Sequence, residues 1–82
     1  MSLPLPRVTA TEVIRVLNKI GFELSRQSGS HRIYKNADGM RVTVPFHSGK
    51  ILHPKTLKSI LNDAGLTVEE FVQLLRLIDL SS

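Results

Sequence analysis

Residues Phe22 to Pro45, FELSRQSGSHRIYKNADGMRVTVP, carry the pattern of a small β-sheet. Phe22-Glu23-Leu24-Ser25-Arg26-Gln27 alternates apolar and polar side chains, as a half-buried strand requires. Ser28-Gly29-Ser30 breaks that pattern, and His31 to Lys35 resumes it with Ile33 and Tyr34. Asn36-Ala37-Asp38-Gly39 supplies turn chemistry, after which Met40-Arg41-Val42-Thr43-Val44 alternates again. A three-stranded antiparallel meander is therefore predicted. Pro45 has no N–H to give a ladder, so the third strand ends there and Phe46 to His53 forms a loop around Ser48-Gly49. Alternation leaves open whether Ile33 or Tyr34 points inward.

Helical signals flank the meander. Thr9 with Glu12 has the spacing of a capping box, and Val13, Ile14, Leu17 and Ile20 recur at helical intervals, predicting a helix from about Ala10 to Ile20 that Gly21 closes. Pro54 suits a first helical turn, with Leu57, Ile60, Leu61 and Ala64 as the apolar stripe before Gly65. Thr67 with Glu70 repeats the capping-box spacing and opens an additional C-terminal helix over residues 67–79. Its apolar surface is wide: Leu77 falls off the stripe of Val68, Phe71, Leu75 and Ile78. That excess fits either a fraying end or a contact with a partner, a homodimer through this helix included. Residues 1–8, with two prolines and no period, read as a loose lead-in without chemistry. The order is α-β-β-β-α with an extra C-terminal helix, an α+β chain forming a single domain over residues 1–82. Two helices on one face of a three-stranded sheet leave the other face wet, the architecture of double-stranded-RNA-binding domains.

Composition narrows the function. With 82 residues there is room for one small core, and 41% apolar against 22% charged residues marks a globular rather than a disordered chain. The absence of cysteine excludes disulfides and thiol chemistry and removes the usual zinc ligand. His31, His47 and His53 have no recognised metal-ligand spacing, so neither a structural metal nor a cofactor is expected. No apolar stretch approaches the ~20 residues of a membrane span, and the start lacks a basic segment followed by an apolar run, so no membrane partner and a cytoplasmic location are expected. The formal net charge of +4 is unevenly spread. Ser25 to Lys58 carries Arg26, Arg32, Lys35, Arg41, Lys50, Lys55 and Lys58 against Asp38 alone, whereas Ser59 to Ser82 is net acidic. A central positive field suits a polyanion, because each phosphate neutralised releases counterions; the competing reading is a charged surface that serves solubility.

His31 leads the residues capable of chemistry. It begins a strand directly after Gly29-Ser30, so a flexible turn presents an imidazole, a group that exchanges protons near neutral pH. Arg26, Arg32 and Lys35 are near in sequence and supply cations to hold a phosphodiester. RNA carries its own nucleophile, the 2′-hydroxyl beside the phosphate, so such a site needs no metal and no covalent enzyme intermediate. The competing reading makes His31 an ordinary strand-edge histidine bonded to the Ser28 to Ser30 turn. His47, in Phe46-His47-Ser48-Gly49-Lys50, is either a second proton donor or phosphate contact, or a solvent-facing loop residue. His53 precedes Pro54 and suits a capping or exposed role. Lys50, Lys55 and Lys58 lie near a helix N-terminus that favours anions, or form a solvated helix face. Other chemistries lack support. Ser30 and His31 are strand neighbours that point apart, no glycine-rich phosphate loop exists, and no carboxylate cluster suits two-metal catalysis.

Together, Gly29-Ser30-His31-Arg32-Ile33-Tyr34-Lys35, the turn Asp38-Gly39, Val42-Thr43-Val44-Pro45, His47-Ser48-Gly49-Lys50 and Thr56-Leu57-Lys58-Ser59-Ile60-Leu61 ending Ala64-Gly65-Leu66 resemble the HicA family of toxins. The resemblance spans about Thr9 to Phe71. It implies an mRNA interferase of a type II toxin–antitoxin pair, with a double-stranded-RNA-binding-like fold and His31 needed for activity. Gly29 and Ser30 carry over as turn-formers beside it. A HicB-type antitoxin that covers the active surface is implied as partner, and mRNA as substrate. The chain departs from many members at His53-Pro54-Lys55-Thr56, where they have a glycine before the threonine, and its last helix is longer than in the shortest ones. The alternative is a non-catalytic RNA-binding or protein-interaction module of the same fold.

Overall fold

The structure, a computed structural model, describes residues 4–81; the first three residues of the predicted lead-in lie outside the described residues. The elements run α1 (Ala10–Lys19), β1 (Glu23–Ser28), β2 (His31–Lys35), β3 (Arg41–Pro45), α2 (Pro54–Ala64) and α3 (Val68–Ser81). This is the expected α+β order, a double-stranded-RNA-binding-like fold with an extra C-terminal helix. The strands form one antiparallel sheet in the order β1-β2-β3.

Local chemistry sets the helix ends. At α1 the Glu12 backbone N–H donates to Thr9 Oγ1 at 3.3 Å while the Thr9 N–H donates to a Glu12 carboxylate oxygen at 2.9 Å. Thr67 and Glu70 make the same reciprocal pair at 3.1 and 2.8 Å and start α3. Gly65 ends α2 with φ of +72°, a left-handed turn open to a residue without Cβ.

Tyr34, not Ile33, faces the helices. It pairs with Val42, and residues directly opposite in an antiparallel pair share a face, so the buried Val42 and Val44 carry Tyr34 inward and send Ile33 out with the polar Arg41 and Thr43. The core gathers Val13, Val16 and Leu17 of α1, Leu57, Ile60 and Leu61 of α2, Phe71 of α3 and these sheet residues. Two expectations are corrected. Every residue of β1 is exposed, Leu24 included at 52%, so β1 is not a half-buried strand. It is an edge strand whose pairing with β2 slips at Ser25, and only Phe22, just before it, enters the core. Val8 of the lead-in is also buried, and its carbonyl accepts the Leu52 N–H at 2.8 Å. Residues 8 and 9 are thereby tied to the loop after β3.

That tie orients the molecule. Thr9, the cap of α1, lies against Ile51, and α2 begins at Pro54, so both helices start near the end of the sheet that holds His31 and Pro45. The far end holds Lys35, Arg41 and Glu23. Among the described residues no helix is long and apolar enough to cross a membrane.

Candidate nucleic-acid interface

Register assigns the open face of the sheet. His31 pairs with Ser28 on β1 and Pro45 on β3, Ile33 with Arg26 and Thr43, and Lys35 with Glu23 and Arg41. These nine residues face away from the helices. His31 is exposed where a two-residue turn, Gly29-Ser30, meets β2. Gly29 takes a φ of +57°, which lets the chain reverse within two residues. The Ser30 carbonyl accepts the Phe46 N–H at 2.6 Å and fastens that turn to the chain leaving β3. Among the described residues none hydrogen-bonds the His31 ring, so the imidazole is not tied into the turn.

The cations expected around His31 are sorted by the sheet into three places. Arg26 sits diagonally across from His31 on the open face, roughly 7–8 Å away between backbones. Lys35 is on that face too, but four residues along β2, about 13 Å from His31. There it pairs with Arg41, whose outward direction is written in the alternation Arg41-Val42-Thr43-Val44. Arg32 points to the other side. Its guanidinium carbon lies 3.8 Å above the Phe46 ring centre, and its Nε is buried without a hydrogen-bond partner. The sheet separates it from His31.

The loop after β3 adds a second feature. His47 and Lys50 line a cleft of about 280 Å³ together with Pro45, His53 and Thr56. His53 is the N-cap of α2, its Nδ1 accepting the Lys55 N–H at 3.1 Å. The capping role is legible in His53-Pro54, whereas the side chain's place in the same cleft as His47 depends on how the loop folds. Lys55 and Lys58 line a different groove, with Asn62 and Thr67 between α2 and α3. They do not join the open face.

An exposed imidazole beside a guanidinium, on a wet sheet face rich in positive charge, is equipped to hold a phosphodiester and move a proton. A family model described as the HicA toxin of bacterial toxin–antitoxin systems matches residues 10–66, from the first residue of α1 to just beyond α2. No curated protein sequence matches the chain significantly.

Proposed function

The chain belongs to the HicA family, toxins of bacterial toxin–antitoxin systems, and from that membership we propose a type II toxin that cuts mRNA, an endonuclease in which His31 transfers the proton. The observation that supports this most is the exposed His31 at the head of β2 with Arg26 on the same face. In the proposed step the His31 imidazole takes the proton of a 2′-hydroxyl as its oxygen bonds to the adjacent phosphorus. The bond from phosphorus to the 5′-oxygen breaks, that oxygen takes a proton from water, and a 2′,3′-cyclic phosphate remains on the other fragment. Arg26 offsets the charge that builds on the phosphoryl oxygens. Gly29 and Ser30 form the turn that presents the imidazole, while Lys35, His47 and Lys50 hold phosphates further along the strand. The step uses the hydroxyl of the substrate and side chains alone, with neither metal nor cofactor. An mRNA substrate places the activity in the cytoplasm.

Incubation with unstructured mRNA in EDTA tests this. Cleavage yielding cyclic phosphate ends is expected, and His31→Ala abolishes it while leaving the thermal midpoint unchanged, because the ring is exposed and outside the core. Full activity of that variant, or cleavage that EDTA stops, would overturn the reading.

Membership of the family also gives the toxin a cognate antitoxin. We take this partner to be of the HicB type, covering the open sheet face. A protein-contact role for α3 has its own support, since Leu77 and Leu80 are 44% and 83% exposed. The mass in solution, alone and co-expressed with the product of the adjacent gene, decides whether α3 joins two copies or meets the antitoxin.

A further inference from the structure

We propose that the cleft beside Pro45 is a second phosphate subsite for the RNA strand, with His53 as a ligand-binding residue alongside His47 and Lys50. This rests on the RNA reading above and names where the nucleotide next to the cut is held.

Three observations carry it. First, the cleft walls combine two imidazoles, an ammonium and the Thr56 hydroxyl with Pro45, Ile51 and Leu52, and no carboxylate is among them. A site with N–H donors and no acid selects an anion. Second, His53 is held in place: its Nδ1 accepts the Lys55 N–H, so Nε2 is the nitrogen left to donate to a ligand. The ring stands at the start of α2, whose first turn contains no acidic residue to compete for that ligand. Third, the cleft adjoins the proposed cutting site. Pro45, one of its walls, is the register partner of His31, about 5 Å away between backbones. The Phe46 N–H bond to the Ser30 carbonyl locks the two together. A strand whose scissile phosphate lies at His31 therefore enters the cleft with an adjacent phosphate, while Arg26 meets it from the opposite edge. An acidic protein segment fits the charge of the cleft but lacks this reason to lie beside His31.

The test uses the full chain and an uncleavable 2′-O-methyl RNA oligonucleotide, with affinity measured by fluorescence anisotropy over a salt series. His53→Asn keeps an N-cap acceptor, since Asn is among the preferred caps, and is combined with Lys50→Gln. The double variant is expected to melt like the wild type, bind about tenfold more weakly and show a salt slope shallower by about one. In the wild type the His53 imidazole carbon–proton signal moves on titration with the oligonucleotide. Binding equal to wild type in the double variant, or a stationary His53 signal, overturns the subsite. A His53 shift with inorganic phosphate but none with the oligonucleotide reassigns it to free phosphate and overturns it as an RNA site. Poly-glutamate producing the same shift at the same concentration does so in favour of an acidic protein. Because the oligonucleotide cannot be cut, loss of catalysis leaves the measurement intact, and His31→Ala is expected to bind it nearly as the wild type does. Absence of all binding would sink the RNA reading itself, whereas wild-type cleavage with undiminished binding by the double variant would sink the subsite alone.

Discussion

Replacing Arg26 by Ala is expected to slow RNA cleavage about tenfold at saturating RNA, whereas Lys35→Ala leaves that rate within a factor of two. Both residues are exposed cations on the open face, and only their positions relative to His31 differ. Arg26 is a diagonal cross-strand neighbour, so its guanidinium comes within ~5 Å of a phosphate held at His31; at an effective dielectric near 20 that attraction is at most about 3 kcal/mol. Its exposure to solvent lowers this to about 1–1.5 kcal/mol, near tenfold in rate. Lys35 lies about 13 Å away along β2, where in water the attraction is about 0.3 kcal/mol before salt screening, which at a Debye length of ~8 Å removes most of it. Lys35 instead meets a phosphate further along the strand, so its loss is expected to weaken binding and flatten the salt dependence. Single-turnover cleavage of a labelled RNA, with affinity measured in parallel, separates the two effects. A larger fall in the saturated rate for Lys35→Ala than for Arg26→Ala would refute the assignment of the cutting site to the His31 end of the sheet.

Other substitutions probe the frame around the site. Phe71→Ala should destabilise by about 3–5 kcal/mol, because this fully buried α3 side chain leaves a cavity in the shared core; denaturant unfolding reads this, and a loss below about 1 kcal/mol would show α3 to be an appendage. Arg32→Met should keep or raise the thermal midpoint, since it preserves a long side chain against Phe46 and removes a buried Nε that lacks a partner. A clear fall in circular-dichroism melting would mean that the charge over the ring contributes more than the unpaired nitrogen costs.

Much of this molecule was legible residue by residue. Thr9 with Glu12, Thr67 with Glu70, Pro54 and Gly65 announced the helix ends because caps act within one turn of chain. The alternation of Arg41 to Val44 placed β3 for the same reason, a period carried by neighbours. The run from Gly29 to Lys35 also marked His31, since a turn followed by a strand is written locally. Leu24 misled: alternation implied a buried side chain, but burial requires a helix overhead, and β1 lies at the edge of the sheet beyond both.

The identity of the elements, their order and the histidine that heads β2 all follow from interactions within a few residues. It took the assembled fold to turn Tyr34 inward, to set Arg26 rather than Arg32 or Lys35 on the open face near His31, and to bring His53 into one cleft with His47 and Lys50. Those outcomes depend on cross-strand register and on how the loop after β3 packs against the start of α1, contacts between residues far apart along the chain that no local pattern encodes.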